Sequence, residues 1–243
     1  MSKSEEKYSV PDPNFEPKDG ETVPYRSTLL EEDEELVETK TPGIDTLKRT
    51  FLFSVEQYAD DEFLGTRTKN VSDDDSEVTY GKYKWKTYQE IHDESICLAK
   101  SIVKLNLFNE VKVESRRYRL LGIYGKNSEG WVETDIACWL SNIGVVTLYD
   151  TLGANSTEYI IEQTEISTIA CTSDHIDTLI EIKERKNFDF FQNLIVLDEF
   201  TDEHENRSTS SGLKLYSLDT LIEEGKGISI ELDNPTKNDL FTI

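Results

Sequence analysis

The chain is poor in cysteine, histidine and basic residues, and each shortage removes a class of function. Its three cysteines, Cys97, Cys138 and Cys171, stand far apart with no C-x-x-C pair. That spacing supports neither a zinc site nor a disulfide framework and reads as buried thiols in a reducing compartment. The three histidines, His92, His175 and His204, are as scattered; with no convergent partner in sequence, each reads as a surface or hydrogen-bonded core residue. Lysine and arginine total 26 against 49 acidic residues, a formal charge of −23. Binding to nucleic acid or to anionic lipid needs clustered cations, so this balance argues against both and mainly favours solubility. No run of about 18 apolar residues occurs, and the opening MSKSEEKYSV lacks the apolar core of a secretory signal. The chain is therefore expected to be intracellular and not membrane-spanning. Catalytic signatures are missing too: there is no GxxxxGKS or GxxxxGKT, no GxGxxG, no GxSxG and no paired metal-ligand spacing. The acidic runs at 31–35, 60–62 and 73–75 lack the glycine and ligand rhythm of a calcium loop and read as solvated segments.

What the sequence does carry is concentrated in residues 120–153, LLGIYGKNSEGWVETDIACWLSNIGVVTLYDTLG. Leu120, Leu121, Ile123 and Tyr124 form a short apolar run ending at Gly125. After Lys126, Asn127 and Ser128 the apolar period lengthens from about 2 to about 3.6, which marks a strand giving way to a helix. Val132, Ile136, Trp139, Leu140 and Ile143 recur on one face, and Trp131, Asp135, Cys138 and Asn142 form a second stripe, so the helix is expected to pack on two sides. Gly144 stands where a left-handed helix cap falls, and 145–149 resume a β-branched run before Asp150, Thr151, Leu152 and Gly153 turn the chain. The unit is βαβ, which demands a right-handed crossover and a parallel sheet.

The flanking chain extends this pattern. Pro11, Pro13, Pro17 and Pro24 and an acidic run fall early, so residues 1–41 are expected to form an extended arm without a packed core. Residues 46–58 read as an amphipathic helix on Leu47, Phe51, Val55 and Tyr58; 63–68 and 78–85 read as an antiparallel hairpin around an acid-rich loop at 70–77. Thr87 with Glu90 forms the capping box of a second helix. Residues 108–119 read as irregular and basic; Arg116, Arg117 and Arg119 fit either a phosphate or carboxylate contact or a solvated strand lead-in. Downstream come a helix capped by Ser156, a strand at 168–171, a helix from Asp174 and a strand at 194–197. Residues 201–212 read as a loop, 217–224 as a short helix capped by Ser217, and 240–243 as the start of a further strand. The fold class is α/β: a layered, mostly parallel sheet with flanking helices and a β-hairpin addition.

In such a sheet ligands bind beyond the carboxyl ends of the strands. That rule selects the 125–128 loop, which offers backbone N–H groups to an anion at a helix start. It also selects Asp150 and Thr151, the substrate-binding candidates. Each has an ordinary alternative, since every helix start has such N–H groups, and Asp and Thr bond their own backbone in turns. No catalytic residue and no metal ligand is assigned.

Three motifs in order, YKWKTYQEI (83–91), GIYGKNSEGWVETDIACW (122–139) and VVTLYDTLGANSTEYIIEQTE (145–165), resemble the amino-terminal half of eukaryotic long-chain fatty acyl-CoA synthetases, members of the AMP-forming acyl-adenylate superfamily. The resemblance runs from about Tyr25 through PGIDTL (42–47) and FLGTR (63–67) to Ile243. It implies an adenylate-forming ligase: fatty acid and ATP give an acyl-adenylate and pyrophosphate, and the CoA thiol then displaces AMP, with Mg2+ assisting the first step. For residues 42–243 it implies the amino-terminal part of the AMP-binding domain, with Trp131, Trp139 and Tyr149 in its packed centre. Its partners would be long-chain fatty acid, ATP and CoA, with no nucleic acid. Its location would be the cytoplasm or the surface of endoplasmic reticulum, peroxisome or lipid-droplet membranes. The family's phosphate loop, YTSGTTGxPKG, ordinarily follows a segment like 237–243 almost at once. Neither that loop nor the ribose and lysine motifs occurs here, so these 243 residues alone are expected to be inactive. A non-catalytic fatty-acid-binding or scaffolding module that kept the fold is the alternative. Apolar surface at 240–243 is expected to favour self-association. Two positions depart from the family pattern: Thr147 stands where proline is usual, and Gly130 where an acidic residue is usual.

Overall fold

The computed structural model describes residues 7–31, 34, 39, 41–71 and 78–243. Most of the acidic run at 31–35, all of that at 73–75 and the acid-rich part of the 70–77 loop lie outside the described residues. The chain divides into two compact units, 1–43 and 44–243. The first contains a short antiparallel pair, β1 (Ser9–Pro11) and β2 (Tyr25–Ser27), where a wholly extended arm was expected. Its anchor is Arg26, buried on β2, whose guanidinium donates to the carbonyls of Glu31 (2.9 Å) and Glu34 (2.8 Å).

The second unit opens with α1 (Leu47–Tyr58), started by Thr46 Oγ1 accepting from Arg49 N at 3.1 Å and buried through Phe51 and Val55. The expected hairpin follows as β3 (Glu62–Val71) and β4 (Val78–Thr87), then α2 (Tyr88–Leu105) behind the Thr87–Glu90 capping box. Residues 108–119 are not irregular. They form β5 (Asn109–Val113) and the first half of β6 (Arg116–Gly125), paired antiparallel, with Glu114 at φ 55° making the turn. The charged side chains point off a regular ladder there, which charge alone conceals. Next come α3 (Glu129–Leu140), β7 (Gly144–Tyr149), α4 (Ala154–Thr164), β8 (Thr168–Cys171), a 3₁₀ turn (Ser173–His175) and α5 (Ile176–Lys186). The chain continues with β9 (Asn193–Val196), α6 (Asp202–Ser210), β10 (Lys214–Ser217) and α7 (Leu218–Gly225).

Several boundaries differ from expectation for local reasons. The left-handed residue after α3 is Asn142 (φ 55°), and Gly144 is already in β7. Gly153, not Ser156, precedes α4. The segment expected as a loop at 201–212 is mostly α6, because Thr201 and His204 form a capping box that an acidic, weakly apolar sequence does not advertise. Tyr149 is 71% exposed rather than central, while Trp131 and Trp139 pack against the core from partly buried positions. Cys138 and Cys171 are buried as expected; Cys97 is only half-buried.

In the sheet β10, β9, β8 and β6 run parallel in that order, and β7 lies parallel on the far side of β6. Leu120 of β6 pairs with Gly144 of β7 and Asn109 of β5 at once, so β5 fills the beginning of the edge that β8 occupies further along. The outer edge of β7 is met by residues 241–243: Val145 N donates to the Phe241 carbonyl and Ile243 N to the Val145 carbonyl, both at 2.9 Å. Because β7 and β8 flank β6 on opposite sides, right-handed crossovers send α3 and α4 to opposite faces. One face buries Leu121, Ile123, Val145, Ala170 and Ile195 against α1, α2, α3 and α7; the other buries Leu120, Tyr124, Val146, Ile169 and Leu194 against α4 and α5. This period-2 alternation within fully buried strands explains why the apolar runs look continuous in sequence. Among the described residues no helix is long and apolar enough to cross a membrane.

Candidate functional site

All five parallel strands end on one edge, and β6 sits where the order of strand succession reverses. In open α/β sheets that reversal opens the crevice in which ligands bind. The polar side chains there come from separate stretches: Lys126 and Ser128 after β6, Asp150 and Thr151 after β7, residues 172–175 after β8, and Asp198 after β9. Gly125 lets the ends of β6 and β8 close together, since a Cβ at this position would lie 2.9 Å from Thr172 Oγ1. Ser128 caps α3 by accepting from Trp131 N at 3.2 Å.

Asp150 and His175 meet at the centre of this edge, with Asp150 Oδ1 3.0 Å from His175 Nε2. The imidazole is clamped from below by the Tyr124 ring, stacked at 3.8 Å between centroids and 15° between planes. Tyr124 in turn donates its hydroxyl to the Leu152 carbonyl at 3.2 Å, tying the turn after β7 to the same stack. Asp174 Oδ1 accepts from Thr172 Oγ1 at 2.5 Å, and its Oδ2 lies 3.5 Å from Lys126 Nζ. The Thr172 hydrogen bond holds the Asp174 carboxyl below the usual carboxylate range. Asp198 accepts from Ser173 N (2.7 Å) and Ser173 Oγ (3.1 Å), joining the ends of β8 and β9. Burial pushes the Cys171 thiol up, so it stays protonated beneath this edge. Among the described residues, Asp150, Asp174 and His175 form the group whose side-chain donor atoms could hold a metal, all within 4.8 Å of one another.

The structure places the sequence candidates Asp150, Thr151 and the 125–128 loop on this one edge. Asp150 is engaged with His175, and Thr151 is exposed beside it. The 125–128 loop joins them through Lys126. His175, read as isolated, was missed, as were Thr172, Ser173 and Asp198. The overlooked signal is that polar residues follow every one of these four strands.

A second polar cluster lies where the β3–β4 hairpin crosses α2 and α3. Lys86 Nζ contacts Glu94 (2.5 Å), Glu129 (2.7 Å) and Glu133 (3.1 Å), and Thr66 donates to Glu129 at 2.9 Å. Burial opposes the charge on Lys86, yet hydrogen bonds to Glu129 and Glu94 raise its pKa. Beside the cluster a groove of about 520 Å³ runs between the hairpin and the start of α3, lined by Leu64, Thr66, Arg67, Lys69, Asn127 and Ser128.

A sequence model of the family described as AMP-binding enzyme matches residues 66–243. The chain belongs to this family. This AMP-binding family member is 30% identical to long chain acyl-CoA synthetase 4 of Arabidopsis thaliana over 201 residues, 83% of this chain and 28% of that protein. It is 26% identical to long-chain-fatty-acid–CoA ligase 1 of Cavia porcellus over 219 residues, 90% of this chain and 29% of that one. The chain thus spans under a third of the length of these curated relatives. Its fold matches the adenylation domain of a carboxylate reductase from Mycobacterium chelonae with a TM-score of 0.67, at 18% identity over 84% of this chain and 32% of that one. The A-PCP didomain of carboxylic acid reductase from Segniliparus rugosus gives 0.66, at 17% identity over 84% and 30%. At these identities the AMP-binding family member and its structural neighbours share a fold, the adenylate-forming α/β sheet, and no more is drawn from them.

Proposed function

We propose that this chain supplies the amino-terminal α/β layer of a long-chain fatty acid–CoA ligase, which joins fatty acid and ATP into an acyl-adenylate and passes the acyl group to CoA. The observation that carries the reading is the family match over 66–243 together with long-chain acyl-CoA synthetase relatives aligned to most of the chain. In this reading the layer is a scaffold working in the cytoplasm or on a membrane surface. Adenylation needs a loop of backbone donors around the triphosphate, a carboxylate at the ribose and a lysine at the developing charge; no motif for them occurs in the 243 residues. Mg2+ takes oxygen ligands in near-octahedral geometry, so the imidazole-containing group on the carboxyl edge does not fit it. Asp150 then acts through His175 and the local turn, with Thr151 the group left facing any substrate.

The test is a chimera in which residues 44–243 replace the aligned segment of the Arabidopsis thaliana synthetase, assayed for acyl-CoA formation, beside the 243-residue chain assayed for fatty-acid-dependent ATP–pyrophosphate exchange. The expected result is an active chimera and an inactive isolated chain. A folded chimera with no acyl-CoA product would favour the second reading, a non-catalytic module; exchange by the isolated chain would overturn both.

A further inference from the structure

We propose that His175, Asp150 and Asp174 form a three-ligand site for a divalent transition metal of the zinc type, built into the carboxyl edge of the sheet and separate from any nucleotide-bound Mg2+. From His175 Nε2 the distances are 3.0 Å to Asp150 Oδ1 and 4.0 Å to Asp174 Oδ1. Ligands about 2.0–2.1 Å from a tetrahedral Zn2+ stand about 3.4 Å apart; the two separations from His175 bracket that spacing, and all three donor atoms lie within 4.8 Å of one another.

The set is not a local acidic run. Asp150 arrives from the turn after β7 and the other two from the 3₁₀ turn after β8, and the sheet brings them together. The imidazole is the fixed member: it is 8% exposed and stacked on Tyr124, so its ring plane and the direction of Nε2 are set before any ion arrives. Asp174 is oriented by Thr172 Oγ1, the kind of outer hydrogen bond that commonly holds a ligating carboxylate in place. Charge points the same way. Asp150 meets the His175 ring nitrogen at 3.0 Å and no lysine or arginine among the described residues, and the Lys126 ammonium meets Asp174 only at 3.5 Å. A dication would compensate both carboxylates where one distant, exposed lysine does not.

The donor set selects the metal. Imidazole with carboxylates suits Zn2+, Co2+ and related ions rather than Mg2+ or Ca2+. Cys171, two residues before Ser173, is fully buried in the core behind the edge and is not one of the converging donors, which leaves the set free of sulfur. Asp174 and Asp150 keep part of their side chains in solvent, leaving a fourth position open to water or to a small anionic ligand.

The experiment is titration of the chelator-treated 243-residue chain with Co2+ at physiological ionic strength, followed by displacement with Zn2+. The expected outcome is one saturable equivalent with visible d–d absorption, no sulfur-to-metal charge-transfer band, and stoichiometric displacement by Zn2+. Asp150→Asn and Asp174→Asn keep the side-chain shapes, and each should weaken binding at least 10-fold with unchanged far-UV circular dichroism; Thr172→Val should weaken it by about 10-fold through loss of the orienting bond. His175→Gln should abolish it. Absence of a saturable equivalent, a thiolate band, or equal affinity in folded Asp150→Asn and Asp174→Asn variants would each overturn the site. Every readout is metal binding, so failure of the ligase reading leaves this result untouched, and the converse holds.

Discussion

At the scale of single residues, Gly225 sits under a tight steric constraint. A Cβ built there lies 2.0 Å from the Cys97 carbonyl oxygen, so α7 crosses α2 with backbone against backbone. Relief requires the two helices to separate, not a side chain to rotate. Gly225→Ala is therefore expected to destabilise the fold by about 1–3 kcal/mol, the range for overpacking a close contact, and Gly225→Val by more. Urea denaturation reads this directly, and an unchanged midpoint for the alanine variant would show that the helices slide apart freely. Gly130 and Thr147 each sit in a close local contact. A Cβ at Gly130 would meet Leu218 Cδ2 at 2.7 Å, so the first turn of α3 packs closely on the start of α7. Thr147 directs its N–H toward the Ile243 carbonyl at 3.5 Å, a donor that a proline at this position would lack.

At the scale of elements, Lys86 of β4, Glu94 of α2 and Glu129 and Glu133 of α3 fasten the hairpin to the helical layer. Burial, then the hydrogen bond shared with Glu94, pushes the Glu133 carboxyl up to about 8. Burial also works against the charge on Glu94, but the hydrogen bonds with Glu133 and Lys86 hold its carboxyl below the ordinary value. Folding thus favours one shared proton on the pair, with Glu133 the member pushed up. A carboxyl whose pKa is raised by folding contributes stability that is complete below its unfolded value, near 4.5, and is lost as pH rises toward about 8. Glu133→Gln fixes the neutral form while keeping a carbonyl for Lys86. The melting temperature of the natural chain is expected to fall relative to that of the variant between pH 5 and pH 8; parallel melting curves across that window would remove Glu133 as the titrating group. None of this was legible in sequence, because the four residues come from three elements and their meeting depends on helix packing. What was legible followed from period and caps. The helix at Leu47–Tyr58, the Thr87–Glu90 capping box, the β6–α3–β7 unit and the helix behind Ser217 all announce themselves locally. The helix at Asp202–Ser210 did not, since its exposed face leaves Ser208 as its buried residue and hence no apolar stripe to read.

At the scale of the whole molecule, a βαβ unit implies a parallel sheet but not the order of its strands. That order decides which carboxyl ends face each other. His175 became part of the candidate site only because β8 lies beside β6 on the side away from β7, a non-local choice that no spacing in the chain encodes. The same order makes β7, like β10 at the opposite end, an outer parallel strand, and an unpaired edge strand invites pairing with another chain. Here residues 241–243 cover it through the two backbone bonds to Val145, while Phe241 sets its ring edge-on against Trp139 at 5.4 Å. Removing residues 241–243 would strip those bonds, each worth about 1 kcal/mol net, together with the ring contact. The expected outcome is a loss of about 2–3 kcal/mol in unfolding free energy and the appearance of concentration-dependent association through the bared β7 edge. Light scattering across a dilution series checks the association and chemical denaturation the stability. Lysine in place of Val145 on the shortened chain would not restore it, since Val145 is buried, whereas lysine at Thr147, half-buried on the same edge, should suppress association without recovering the lost stability. Association that persists at full strength with lysine at 147 would mean that the contact forms elsewhere than on β7.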